Sequence, residues 1–572
     1  MRNLLNKYKF SISVIGLGIL VSVVFTLPVV LNPSKIVFGY SGDNFGNIWY
    51  FWWQKYAFSH NLDLSRTPFY NAPVGVSINT SFSEFLWMVP GTIISNLSNE
   101  VFAFNLLILS GFALSFISMY SLVNYLTKSR WASLFGGLLF SISPYHFWQA
   151  TAHLSLSLIF WLPLFTLTIF WFDEHKSLKS AFLVSVVFLA TIYTTFYYGF
   201  FCALIATTYF LLKFVFDFRE YFKARTFFLL VFSATIVMLG FAPLWGGLQS
   251  AKVDQSRGVK DALSRKLDEL VGLSARPWDY LIYPPNQPVF GRFNKQIYDF
   301  IQSRGNDFKV RSAYLPERVV FLGIINCLLA FISIIFLYKR DKNIRVILLL
   351  SIVSFIVSLP PYFPIKGVII YTPSYFLYQL FPFIRVYVRM GVFVMLFTTL
   401  LSSFTVKAIL SRNTHNVGVL LFILIIVGGV FEFLPDFKSF TDLRNVPPVY
   451  SWIKSQPGDF IVAEYPENFD LQVGLNFQRY HQKRLFNMPG SEPRFELWGK
   501  IDELQEPSTF QVLKNEGVRY LIYHLSDLAQ NPYDDWRFFR FALPPTDLQE
   551  RGTKNAGFRK VATFPEALVY EL

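Results

Sequence analysis

The residues able to do chemistry in this 572-residue chain sit in a few polar stretches between long apolar runs. The first is Tyr40-Ser-Gly-Asp-Asn-Phe-Gly-Asn-Ile-Trp-Tyr-Phe-Trp-Trp-Gln-Lys-Tyr-Ala-Phe58. Gly42 permits a tight turn, Asp43 and Asn44 suit a turn or a helix start, and Ile48, Trp49, Trp52 and Trp53 recur at helical spacing. Such an aromatic helix is expected to lie in the headgroup layer of a membrane, where Trp and Tyr concentrate, with the tryptophans seating it there. Asp43 then has two readings: a helix cap, or a carboxylate held at the membrane surface where it can take up a proton.

Other polar candidates are Asn47 and Glu84 in the same loop, His146, Gln149 and His153 in Ser143-Pro-Tyr-His-Phe-Trp-Gln-Ala-Thr-Ala-His153, and Arg385 with Arg389. The two histidines and the glutamine suit a sugar, a phosphate or a metal; hydrogen-bonded structural histidines are the alternative. Arg385 and Arg389, four apart, share a helix face if a helix begins before them. Guanidinium groups there suit a bidentate contact to phosphate, with lipid headgroup anchoring as the other reading. No carboxylate falls in the middle of an apolar run, whereas an ion-coupled pump would carry one. His481 and His524 have no Ser or Cys nucleophile beside them and read as core or surface histidines.

The elements that must position these residues are mostly membrane spans. With 53% hydrophobic and 15% charged residues, the chain is too apolar for an ordinary soluble protein. Its net charge of +14 is largely carried in short turns between apolar runs, as the positive-inside rule expects, so nucleic acid is not a partner. Cys202 and Cys327 lie in apolar runs, which leaves no disulfide framework and no Cys-based metal site. The run Ser11–Leu31 follows Arg2, Lys7 and Lys9 and reads as a retained first span with a cytoplasmic N-terminus.

An outer loop, 32–100, follows; its apolar Phe85–Leu97 contains Pro90-Gly91 and reads as re-entrant or interfacial. About eleven crossings are expected in all, interrupted by a second outer loop, 246–318, with an amphipathic helix near Val259–Leu273. A further outer amphipathic segment is expected at Tyr371–Phe383. After Pro435 the composition becomes that of a water-soluble domain with short helices and strands. The expected fold class is a mostly α polytopic membrane protein, 1–434, carrying a small extracytoplasmic α/β domain, 435–572.

Several of these stretches together carry a resemblance: Ser41-Gly-Asp-Asn with its Trp-rich helix, Ser-Pro-Tyr-His with Ala-His-Leu, and Leu267-Asp-Glu-Leu with Tyr283-Pro-Pro. Glu317-Arg-Val-Val-Phe-Leu-Gly323, Arg-Val-Tyr-Val-Arg389 and Val449-Tyr-Ser-Trp-Ile with Pro-Gly-Asp459 belong to the same set. Over nearly its whole length the chain resembles a group of bacterial and archaeal membrane proteins within the GT-C glycosyltransferase superfamily. The resemblance implies transfer of a sugar from a polyprenyl-phosphate donor, on the outer face of the cell membrane, to a hydroxyl of a glycan, lipid or protein acceptor. It implies that the first outer loop supplies the catalytic acid, which here is Asp43. Asn44, Asn47, Glu84, His146, Gln149, His153, Arg385 and Arg389 are the expected substrate-binding residues. Many members carry a second acidic residue, and here Asn44 stands beside Asp43; no cofactor is therefore called for, a divalent metal being the one alternative. A lipid or polysaccharide transporter or flippase and a non-catalytic envelope scaffold are the rival readings; a transporter would be expected to show inverted repeats and ionisable residues in its spans.

Overall fold

The computed structural model describes residues 2–78, 84–255, 267–303, 316–365, 368–412, 414–435, 437, 439–465, 471–486, 504, 507–525 and 557–572. Among these, five helices are long and apolar enough to cross a membrane: Glu100–Thr127, Phe196–Phe216, Ala224–Leu244, Tyr387–Arg412 and Asn416–Phe433. Ile12–Phe25, Phe85–Leu97, Leu178–Ile192 and Ile324–Leu337 are shorter apolar helices. Tyr387–Arg412 is buried over 83% of its apolar window and Ala224–Leu244 over 11%, so the first forms the centre of the bundle and the second its rim. Small residues let the central helices approach closely. A Cβ on Gly136 would lie 2.7 Å from Val123 Cγ2 and 2.9 Å from Ser403 Oγ, at the crossing of three helices.

Basic turn residues gather at one end of the bundle. There Lys213 Nζ lies 2.7 Å from Asp173 Oδ2, Tyr221 donates to Asp173 Oδ1 at 2.6 Å, and Lys128 and Lys176 end their helices in left-handed conformations. Asp43 lies at the opposite end, called the site end below. Near that end Arg130–Ser141 stops and a short helix, Pro144–Ala152, stands where a turn between spans is expected, while the span expected over 154–172 is split into Leu154–Ser157 and Trp161–His175. Pro144 and Pro163 sit at the starts of the new pieces, where a missing N–H costs nothing. Of the amphipathic helix expected near 259–273, residues 256–266 lie outside the described residues and Leu267–Gly272 is helical.

The C-terminal residues form a five-stranded sheet in the order Arg559–Thr563, Ala567–Glu571, Val518–His524, Ile461–Tyr465, Arg484–Leu485. The first two pairings are antiparallel and the last two parallel. Alternation along the strands sorts the side chains: Val462, Tyr520 and Ile522 face helices Pro448–Ser455 and Leu471–His481, while Ala463, Leu521 and Leu568 share the other core with Leu513. The helices expected near 447–456 and 510–516 and the strands expected near 460–464, 518–523, 559–563 and 568–571 are observed with shifts of up to three residues, whereas the helix Leu471–His481 and the strand Arg484–Leu485 were not expected.

This sheet is joined to the first polar loop. Ile36–Phe38 pairs antiparallel with Phe440–Asp442, and Leu485 exchanges backbone hydrogen bonds with Phe69 and Ala72 at 2.9 and 2.8 Å. The Trp-rich helix Asp43–Ser59 lies in this joint, not in the headgroup layer as its aromatic face suggested. Trp49, Trp52 and Trp53 are buried in a core shared with Tyr450, Val473 and Phe477. Trp49 Nε1 donates to Gln478 Oε1 at 2.7 Å, a bond that lipid headgroups cannot supply with fixed geometry.

Candidate active site

Asp43 is the first residue of its helix. Gly42 before it has φ = +100°, a conformation that suits glycine, and a Cβ on Gly39 would lie 2.2 Å from the Thr151 carbonyl oxygen. Both glycines therefore let the loop press against the helix Pro144–Ala152. Tyr40 N–H donates to Thr151 O at 3.0 Å and Asn44 Nδ2 to Ala150 O at 3.3 Å, which fixes the register of the two segments. His153 follows that helix as its C-cap, its N–H bonded to Gln149 O at 2.7 Å.

Four charged side chains then meet in a row. His153 Nδ1 lies 2.8 Å from Asp43 Oδ2, His153 Nε2 lies 2.8 Å from Glu317 Oε1, and Arg389 donates to Glu317 through Nη2 at 2.8 Å and Nε at 3.3 Å. An ionised carboxylate only accepts, so an imidazole bridging two of them must carry a proton on both nitrogens. Burial lowers the His153 pKa, but Glu317 and Asp43 outweigh it and bring the pKa up to about 9. Burial likewise raises the Glu317 pKa, and Arg389 with His153 holds it well below the usual range. At Asp43 the same contest ends with the carboxyl lowered by its hydrogen bond to His153 and that residue's charge. The signs alternate along the row. Asp43 is its open end, with its side chain 65% exposed against 24% for His153 and 19% for Glu317.

Glu317 and Arg389 are each held by a support of their own. Glu317 sits on the single turn Pro316–Arg318, and Arg318 makes a bidentate pair with the buried Asp279 at 2.9 Å through both Nε and Nη2. Tyr298 donates to the same carboxylate at 2.7 Å. Arg389 lies on the turn Tyr387–Met390 that opens the central helix, its guanidinium 4.5 Å above the Tyr197 ring.

The other sequence candidates are placed as follows. Asn44 and Gln149 are buried beside Asp43 and His153, each with a side-chain oxygen that no protein group satisfies. Asn47 is half-buried one turn along from Asp43. Glu84 precedes the helix Phe85–Leu97; burial and the charge of Asp43 push its pKa up to about 7, against a hydrogen bond from Ser155 and the charge of His153. His146 does not join the row: it is buried, stacks on Phe112 at 4.1 Å and bonds through Nδ1 to Ser141 O at 2.6 Å, a structural histidine. Arg385 lies outside the turn that carries Arg389, so the two do not share a helix face as their spacing suggested, and Arg389 is engaged by Glu317.

Glu317 was not among the sequence candidates. Its signals were an acid-base pair, Glu317-Arg318, set directly before an apolar run, and its place at the head of Glu317-Arg-Val-Val-Phe-Leu-Gly323, one of the stretches that carry the resemblance. Among the described residues no group of three His, Cys, Asp or Glu side chains is arranged to hold a metal ion. Asp43, His153 and Glu317 are bonded to one another in sequence, both ring nitrogens of the histidine taken, and in this arrangement they do not fit a cation.

No family model and no curated protein matches the chain. Solved structures do. The archaeal oligosaccharyltransferase AglB of Archaeoglobus fulgidus, in complex with an inhibitory peptide and a dolichol-phosphate, superposes with a TM-score of 0.56 at 14% identity, covering 91% of this chain and 70% of that one. The arabinofuranosyltransferase AftD from mycobacteria gives a TM-score of 0.50 at 14% identity over 97% of this chain and 41% of that one. The fold of this chain, apolar bundle and C-terminal sheet region together, is similar to that of these two glycosyltransferase structures.

Proposed function

We propose that the chain is a membrane glycosyltransferase that moves a sugar from a polyprenyl-phosphate donor to an acceptor hydroxyl, with Asp43 as the base. The observation that carries this reading is the Asp43–His153–Glu317–Arg389 row, ending in one exposed carboxylate at the end of an apolar bundle with this fold. In the reaction the acceptor oxygen attacks the anomeric carbon, the bond from that carbon to the phosphate oxygen breaks, and the electron pair leaves with the phosphate. The acceptor proton passes to Asp43, whose Oδ2 is held by His153 while its other oxygen remains available. Attack opposite the leaving group inverts the anomeric centre.

Negative charge grows on the departing phosphate, and cations fixed in advance stabilise it more than they stabilise the donor. Arg389 and Arg385 are the cations assigned this work, Arg389 already oriented by Glu317 and Tyr197. Asn44, Asn47, Gln149 and Glu84, near Asp43 or His153 in the fold, are assigned to sugar hydroxyls. The acceptor is assigned to the side on which the C-terminal sheet adjoins the Trp-rich helix, where soluble glycan, lipid headgroup or protein can reach. This arrangement requires the site end to face away from the cytoplasm.

The test is turnover of purified protein in lipid, with polyprenyl-phosphate sugars and a panel of hydroxyl acceptors. Asp43→Asn, which keeps the shape and loses the basicity, is expected to lower kcat by about 10²–10⁴-fold with donor binding retained. Equal turnover in the variant removes Asp43 from the mechanism.

A further inference from the structure

The segment between the helix ending at Ser358 and the central helix contains more than the amphipathic stretch its sequence suggested. Tyr362–Ile365 and Val368–Tyr371 form an antiparallel hairpin, Tyr362 opposite Tyr371, followed by the helix Pro373–Leu380. Its apolar side chains are turned outward: Val368 is 63% exposed, Ile369 53%, Ile370 49% and Tyr371 49%, and the helix adds Phe376 at 60% and Leu380 at 72%. Apolar side chains left exposed on both faces of a ribbon and along the helix beside it are foreign to a water-facing surface.

Its depth follows from its neighbours. The hairpin begins four residues after Ser358, within roughly 14 Å of the end of an apolar helix. Just beyond the short helix, Phe381 packs on Phe200 with ring centroids 5.2 Å apart, and Phe383 on Phe196 at 5.8 Å. Phe200 lies one turn, about 6 Å, inside the membrane-spanning helix Phe196–Phe216. The segment is thus level with the first turn of a span. A two-stranded ribbon has open edges whose N–H and C=O groups cannot enter hydrocarbon, which stops it at the boundary between headgroups and acyl chains.

We infer that the strand pair Tyr362–Ile365 and Val368–Tyr371 and the helix Pro373–Leu380 form an interfacial anchor that dips its apolar side chains into the leaflet at the site end, with lipid acyl chains as its occupant. The anchor is fastened to the machinery behind it. Thr372 Oγ1 donates to Pro360 O at 2.6 Å and Ser374 Oγ to Leu359 O at 2.9 Å, which ties the anchor to the end of the helix Lys342–Ser358. Ala275 N–H donates to Ser358 O at 2.9 Å and Val388 N–H to Leu273 O at 3.1 Å, which ties that end to the turn carrying Arg389. The anchor therefore sets the height of Arg389 against the bilayer, independently of what the site transfers.

The experiment uses the full chain in phosphatidylcholine–phosphatidylglycerol nanodiscs, spin-labelled at Ile369→Cys or Phe376→Cys in a Cys327→Ser background. Both labels are expected to relax more with oxygen than with a water-soluble nickel chelate, at a depth of about 5–10 Å below the phosphates. A label at Ser455→Cys, exposed on the C-terminal domain, is expected to show the reverse. On the unchanged chain, a diazirine-bearing phosphatidylcholine is expected to leave adducts on peptides covering 368–380. Greater access to nickel than to oxygen overturns the proposal, as does absence of adducts. Dipolar broadening between labels overturns it in favour of a second copy on this face. Protection that appears only after polyprenyl phosphate is added overturns it in favour of the donor tail. None of these readouts depends on glycosyl transfer.

Discussion

His153 is the residue on which the charge arrangement turns. Between two carboxylates it must be an imidazolium; once neutral, one ring nitrogen presents a lone pair to an acidic oxygen. Its pKa is raised from 6.5 to about 9 in the folded chain, so its contribution to stability is complete below about 6.5 and is lost as pH rises through about 9. Asp43 and Glu317 are lowered, so their contribution is complete above the ordinary carboxylate range and lost on acidification. The melting temperature in nanodiscs is therefore expected to fall between pH 7 and 9, and His153→Gln is expected to flatten that alkaline limb; a limb that survives the substitution assigns it elsewhere. Glu317→Gln leaves Arg389, only 11% exposed, without its partner and should cost about 3 kcal/mol of stability, read by thermal unfolding at pH 7. Asp43, His153 and Arg389 were legible in the sequence because each stood in an unusual polar context. Glu317 was not, because its role comes from a fold contact with residues 164 positions before it and 72 after it.

At the scale of elements, the site depends on a loop pressed against a helix. Gly39 allows the backbone to reach Thr151, and an alanine there meets backbone rather than a yielding side chain. Gly39→Ala is expected to destabilise the chain by more than about 2 kcal/mol and to reduce turnover beyond what the lost stability explains, measured as kcat of the folded fraction. The helix after Asp43 was readable from its apolar spacing, but its surroundings were not. An aromatic face fits a headgroup layer and a protein core equally well, and the choice was made by the C-terminal helix Leu471–His481 that covers it. The break near residue 160 was hidden for a related reason: an apolar run of span length does not say whether it is one helix or two.

Across the whole molecule, the bundle and the C-terminal sheet are stitched together at the site. Gln478 accepts from Trp49 and donates to the carbonyls of Phe69 and Lys483, so one side chain joins the Trp-rich helix, the first loop and the sheet. Gln478→Leu strands those buried groups and is expected to cost about 3 kcal/mol, with faster protease cleavage between the two parts. The two-part organisation was visible in composition, but the joint was not, since it pairs segments some four hundred residues apart. This pairing also imposes an order in time. Ile36–Phe38 leaves the ribosome some four hundred residues before its partner strand Phe440–Asp442, and Phe69 likewise waits for Leu485. A nascent chain already threaded into its membrane thus holds Asp43 on an unfinished support until those two partners have been made.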